Sequence, residues 1–115
     1  MNVTHFEIEE REAGDRLCLV LKGELDLAAA PVLHARLSEL RQQRRAVRLD
    51  LSRLEFIDSS GVHVLMRALN HARTDGWQLE IGARLSPPVR RIFELVQLDR
   101  VLVEEDGEPD LASRD

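Results

Sequence analysis

The hydrophobic period of the chain changes across one short polar stretch, Asp58-Ser59-Ser60-Gly61. Before it, over residues 47–51, apolar and polar side chains alternate, which is typical of a strand. After it, Val62, Leu65 and Leu69 fall at spacings of three and four, which is typical of an amphipathic helix. The stretch therefore predicts a turn from strand to helix, a junction that favours folds in which the two kinds of element alternate.

The position of Ser59 and Ser60 at this turn permits two interpretations. Asp and Ser are favoured at helix N-caps because their side-chain oxygens accept hydrogen bonds from unpaired backbone amides. A serine hydroxyl at a helix start also lies near the positive end of the helix dipole, where a phosphate would meet backbone donors. Local sequence leaves both capping and phosphorylation open.

Composition narrows the class of protein. A chain of 115 residues is sized for one domain, and a net charge of −5 argues against binding to a polyanion. Aromatic residues make up only 3%, so the stacking side chains of single-strand binders are scarce. No N-terminal hydrophobic signal and no apolar run of about 18 residues is present, which predicts a cytoplasmic protein without membrane insertion. The lone Cys18 excludes an intramolecular disulfide and is expected to be a small buried residue.

Periodicity along the chain predicts the order β-β-α-β-α-β-α-β and an α/β fold. We expect a mixed sheet of four to five strands, an N-terminal antiparallel hairpin followed by parallel βαβ units, packed with three or more helices. The predicted strands include residues 6–8, 17–21 (buried on both faces), 47–51, 77–81 and 101–103, and the predicted helices begin near Pro31, after Ser60 and after a Ser86 cap. Residues 1–103 form one predicted domain, and residues 104–115 an acidic, flexible tail.

The helices have predicted buried and exposed sides. The buried stripes are Leu33, Leu37 and Leu40 in the first helix and Val89, Ile92, Phe93 and Val96 in the third. Arginines are expected in water: Arg41, Arg44 and Arg45 at the end of the first helix, and Arg90 and Arg91 on the third.

Polar residues follow two strands that should be neighbours. Sites in parallel sheets gather at the carboxyl ends of strands, so Glu24 and Asp26 are expected to share one edge with the Asp58-Ser59-Ser60-Gly61 turn. His63, one helical turn after Ser60, is either a surface residue or a sensor of phosphate. The three carboxylates lack a histidine partner, and no phosphate-binding loop or hydrolase elbow is present. We therefore predict no catalytic residue, metal or cofactor.

Four motifs together resemble those of the STAS domain, in the form found in single-domain bacterial anti-sigma factor antagonists. They are Gly23-Glu24-Leu25-Asp26, Leu49-Asp50-Leu51-Ser52, Phe56-Ile57-Asp58-Ser59-Ser60-Gly61 and Ser86-Pro87-Pro88-Val89-Arg90-Arg91. The resemblance spans roughly residues 5–103. It departs at Ala29-Ala30-Pro31, where family members often have Thr or Ser as a cap before Ala-Pro.

The resemblance implies a phosphorylation switch rather than an enzyme. The second serine of the motif is the phosphorylated one in the family, which corresponds to Ser60, with Ser59 less favoured. The implied partners are an anti-sigma factor, which is also the serine kinase, and a serine phosphatase; the unphosphorylated antagonist binds the anti-sigma factor and releases the sigma factor. The implied switch surface comprises Glu24, Asp26, Asp58, Ser59, Ser60, Gly61 and His63. The alternative is a constitutive STAS adaptor in a larger lipid-transport or stress-sensing complex, with both serines acting only as caps.

Overall fold

The computed structural model describes residues 5–104, which fold as one five-stranded sheet with helices in the connections. In chain order the elements are β1 (Phe6–Ala13), β2 (Arg16–Leu25), α1 (Ala30–Gln42), β3 (Val47–Ile57), α2 (Ser59–Asp75), β4 (Leu79–Gly82), α3 (Pro87–Leu95), a 3-10 turn (Leu98–Val101) and β5 (Leu102–Val103). The strands lie in the order β1-β2-β3-β4-β5. The β1–β2 pair is antiparallel and the other pairs are parallel, which confirms the predicted fold class. Of the predicted acidic tail, only Glu104 falls within the described residues.

One aliphatic core joins the sheet to the helices. It takes alternate residues of β2 and β3, so only one face of the sheet contributes to it. Consecutive parallel strands linked by right-handed crossovers place the helices on that face. The stripe of α1 is buried as predicted, as are Val89 and Phe93 of α3. Val96 is a wrong prediction: α3 ends at Leu95, and the Val96 side chain is 40% exposed.

The opposite face of the sheet is covered by charged side chains. Val20 is buried there although it lies outside the main core, and its cross-strand partner Glu9 forms an ion pair with Lys22 at 2.6 Å. Arg48 is also buried and pairs with Glu80 at 2.6 Å. Strand β2 is therefore covered on both sides, as predicted, but on this side by ion-paired side chains. Cys18 is only half-buried, which corrects the expectation of a buried thiol.

Strand β3 is longer than the predicted residues 47–51, because it stays paired with β2 as far as Ile57. The pairing tolerates two irregularities in register, one of them at Gly23. Gly23 has φ +90°, and a Cβ there would lie 2.0 Å from the carbonyl oxygen of His5, so a side chain is excluded. As a result β2 and β3 end together, with Leu25 opposite Ile57.

Three polar side chains make contacts that the sequence did not predict: Arg41 and Arg90 were expected in water, and Ser86 was expected to cap α3. Arg41 donates to the Asp75 carboxylate at 2.7 Å, which fastens the end of α1 to the end of α2. Ser86 stands at the N-cap position of α3, but its hydroxyl donates to the Leu54 carbonyl of β3 at 2.8 Å rather than capping its own helix. Arg90 donates to the carbonyl oxygen of Ala83 at 2.8 Å. These contacts hold the helix ends in place around the sheet.

Candidate functional site

The carboxyl ends of β2 and β3 meet at one edge of the sheet. The Asp58 amide donates to the Leu25 carbonyl oxygen at 3.3 Å, which links the residue after β3 to the end of β2. Asp26 and Asp58 each follow one of these two paired strand ends. The structure thus brings together the two acidic turns that the sequence placed on a common edge.

Asp58 is the N-cap of α2. Its Oδ1 accepts hydrogen bonds from the Ser60 amide at 2.9 Å and from the Gly61 amide at 3.2 Å. Its own carbonyl accepts from the Val62 amide at 3.0 Å. A carboxylate at a helix start is also favoured by the helix dipole. The capping role that the sequence left open for the serines therefore belongs to the preceding aspartate.

Gly61 is required by the close approach of α2 to the sheet. A Cβ at this position would lie 2.6 Å from the Leu25 carbonyl oxygen and 2.8 Å from Cγ1 of Ile57. No side chain fits there without displacing the backbone of β2. Gly61 thus fixes where α2 begins relative to the sheet, and is a structural rather than a contact residue of the site.

Asp26 caps the turn that leads into α1. Its Oδ1 accepts from the Ala29 amide at 3.0 Å, and its carbonyl accepts from the Ala30 amide at 2.8 Å. Ala29 itself makes no side-chain capping bond. Asp26 therefore caps the turn before α1, whereas α1 itself begins without a side-chain cap. Glu24 is half-buried opposite Phe56, and its amide donates to the His5 carbonyl at 2.7 Å.

The hydroxyls of the two serines take no part in capping. Ser59 is exposed and Ser60 half-buried, and neither hydroxyl makes a hydrogen bond with any residue between 5 and 104. The backbone at this helix start is less available than the sequence suggested, since Asp58 already occupies the Ser60 and Gly61 amides. An anion attached to either serine would compete with that carboxylate for the same donors.

Both serines open onto a groove of about 660 Å³ between the N-terminal halves of α1 and α2. Its lining is partly apolar and partly cationic: Leu27, Ala30, Pro31, His34, Ser59, Ser60, His63, Val64 and Arg67. The switch surface predicted from the sequence includes His63 but not His34 or Arg67. Arg67 could have been predicted from the sequence, because it lies seven residues after Ser60 and therefore on the same helix face. His34 comes from another helix, and no local pattern links it to Ser60.

Within residues 5–104, no cluster of three or more His, Cys, Asp or Glu side chains is arranged to hold a metal ion. The groove residues offer hydrogen bonding, charge and apolar contact. In the same part of the chain, no helix has the length and apolar character needed to cross a membrane.

Comparison with known proteins agrees with this architecture. The family model described as "Mlab, STAS domain" matches residues 8–104. The anti-sigma-B factor antagonist of Listeria monocytogenes is 30% identical over 104 residues, covering 89% of this chain and 88% of that protein. The anti-sigma-B factor antagonist of Bacillus subtilis is 28% identical over 98 residues, covering 85% of this chain and 89% of that protein.

Solved structures share the fold across nearly the whole chain. An anti-sigma factor antagonist from Mycobacterium paratuberculosis has a TM-score of 0.76 at 24% identity, with 96% of this chain and 95% of that one covered. The Bacillus cell fate determinant SpoIIAA in its phosphorylated form has a TM-score of 0.67 at 22% identity, with 96% and 99% covered. The family match and the Listeria relative show that this protein belongs to the STAS domain family, together with relatives that are anti-sigma factor antagonists.

Proposed function

We propose that this protein is a cytoplasmic anti-sigma factor antagonist that is switched by phosphorylation of Ser60. In its unphosphorylated form it binds an anti-sigma factor with serine kinase activity, which releases a sigma factor. The kinase transfers the γ-phosphoryl group of ATP to Oγ of Ser60, releasing ADP and the hydroxyl proton. A serine phosphatase hydrolyses the phosphoserine and restores binding.

The observation that carries this proposal is that Asp58, and not Ser60, caps the start of α2. Asp58 caps the helix, so the hydroxyl of Ser60 is not needed to hold the helix together. That hydroxyl instead lines an open groove beside exposed apolar surface, including Leu27, which is 73% exposed. Ser59 shares the groove and is the second candidate, but the family resemblance assigns the modified position to the second serine of the motif.

A phosphate at this position would oppose partner binding in two ways. It adds about −1.5 to −2 charges to a surface whose apolar residues the partner would cover, and burying a charge without compensation is costly. It also adds negative charge two residues after Asp58, at the sheet edge where Asp26 follows β2. Two unit charges about 5 Å apart interact by about 3 kcal/mol at an effective dielectric of 20. We expect these effects to weaken binding by about a hundredfold, equivalent to about 2.7 kcal/mol.

The first test is a phosphosite map of the protein isolated from its own cells, by intact mass and then fragment mass spectrometry. One phosphate on Ser60, absent in Ser60→Ala and retained in Ser59→Ala, is the expected result. Phosphate on Ser59 alone would move the switch to the neighbouring residue. No phosphate during either growth or stress would favour the constitutive adaptor instead.

The second test measures binding to the purified anti-sigma factors of the same organism. Ser60→Ala should bind one of them as tightly as the unmodified protein, while Ser60→Asp should bind weakly. Ser59→Asp is the matched control, because it adds the same charge one residue away. Equal affinity of Ser60→Ala and Ser60→Asp for every anti-sigma factor would refute the switch.

A further inference from the structure

Three cationic or potentially cationic side chains share the groove with Ser60. His63 and Arg67 follow Ser60 by three and seven residues on α2, so all three lie on one face of the helix. Side chains on a helix lean toward its N-terminus, which directs His63 and Arg67 toward the serine. His34 reaches the same groove from α1. The groove therefore gathers hydrogen-bond donors from two helices beside one hydroxyl.

These three side chains have no polar partner within residues 5–104. None of His34, His63 and Arg67 takes part in an ion pair or a side-chain hydrogen bond there, in contrast to Arg36, which binds Glu10 and Glu39. The described residues that line the groove include no carboxylate. The donors are thus available to an anion, and nothing acidic in the lining competes for them.

The backbone amides at the start of α2 are already hydrogen-bonded, which leaves the groove side chains as the donors for an anion. The Ser60 and Gly61 amides, which would otherwise serve a phosphate at a helix N-terminus, already donate to Asp58. A phosphate held at those amides would have to displace the carboxylate. The donors in the groove offer an alternative that leaves this cap in place.

We infer that a phosphate on Ser60 is bound by its own chain, through Arg67 and His63 with His34 across the groove. This inference rests on the proposed function and names the phosphoserine receptor of the same site. The guanidinium presents a planar fork of donors that suits phosphate oxygens, and an imidazole donates at least one N–H in either protonation state. The bound phosphate fills the mouth of the groove, so the modification both adds charge and removes the surface that a partner would cover.

The test uses the full chain with phosphoserine installed at position 60 during translation, so that no kinase is needed. The readout is the ³¹P NMR titration of the phosphate. A free phosphoserine releases its second proton near pH 6, and nearby cations should lower this midpoint by about one unit. Arg67→Ala and His63→Ala should each return the midpoint toward that of a phosphoserine peptide. Both positions are exposed, so these variants are expected to fold.

Arg73→Ala is the matched control, because it removes an arginine from the same helix outside the groove. It should leave the midpoint where the parent protein has it. A parent midpoint equal to or above that of the peptide would overturn the inference, as would equal effects of Arg67→Ala and Arg73→Ala.

The outcome is separable from that of the proposed function. Absence of phosphate on the protein in cells would refute the switch while leaving the titration unaffected. A normal midpoint in a protein that is phosphorylated on Ser60 in cells would refute only the receptor.

Discussion

Replacing Asp58 with alanine should lower the free energy of unfolding by about 2 kcal/mol. The substitution removes the acceptor for two amides, at 2.9 and 3.2 Å, from a half-buried position. Loss of an N-cap side chain costs about 1 kcal/mol and up to 2, and the favourable position of a carboxylate at the helix dipole adds about 0.3–1. For a domain of this size, 2 kcal/mol corresponds to a fall in Tm of about 8 °C.

Three companion variants separate the contribution of the cap from those of the charge and of the serine hydroxyls. Asn caps a helix about as well as Asp, so Asp58→Asn should lose only the charge contribution, about 0.5 kcal/mol. Ser59→Ala and Ser60→Ala should each change stability by less than about 0.5 kcal/mol, because neither hydroxyl caps the helix. Urea denaturation followed by circular dichroism measures all four against the parent protein, with an unchanged m-value as the check on comparability.

Destabilisation by Ser60→Ala as large as that by Asp58→Ala would contradict the assignment of the cap to Asp58. That result would make the serine a structural cap and remove the main support for a phosphorylated hydroxyl. A loss for Asp58→Asn equal to that for Asp58→Ala would show instead that charge, and not the geometry of the cap, holds the start of α2.

Three further predictions address contacts elsewhere in the fold and at Gly61. Gly61→Ala should destabilise by about 1–3 kcal/mol despite a better helix propensity, since its Cβ would lie 2.6 Å from a β2 carbonyl oxygen; a more stable protein in urea denaturation would contradict this. Trp77→Phe should cost about 1–3 kcal/mol, because the buried indole donates to a backbone carbonyl at 2.7 Å that is left without a partner; an unchanged urea midpoint would be inconsistent with that bond. Lys22 and Arg11 lower the pKa of Glu9 from 4.5 to about 2, so this contribution to stability is present above pH 4.5 and is lost as the pH falls toward 2. Glu9→Gln should therefore flatten the decline of stability in that pH window, and parallel curves for variant and parent would argue against the ion pairs.

The order of elements was predictable because the apolar spacings in this chain are regular. The α1 stripe at Leu33, Leu37 and Leu40 is buried. Gly76 ends α2 with φ +78°, the left-handed conformation for which glycine is the usual residue at a helix end. The end of β3 was missed for a physical reason. Beyond Leu51 the buried residues are Leu54 and Ile57, at spacings of three, because the strand is irregular there and the period-two signal is lost.

Contacts between distant parts of the chain explain the other differences. The Ser86 hydroxyl meets a β3 carbonyl and Arg41 meets Asp75, and neither partner is visible from local pattern. The same limit applies to the site. The convergence of Asp26 and Asp58 followed from the geometry of parallel strands, whereas the contribution of His34 depends on how α1 packs against α2.

The contact between Gly61 and the end of β2 also limits how far a chemical event at the groove can propagate. The first turn of α2 lies directly against the Leu25 carbonyl, and the Asp58 amide is hydrogen-bonded to that same oxygen. A group added on the exposed side of this turn is therefore expected to shift the strands of the sheet very little. A binding partner must therefore recognise the surface of the site and not a change in the fold. Exposed residues such as Leu27 and Arg67 can be substituted to suit a different partner while the core stays the same.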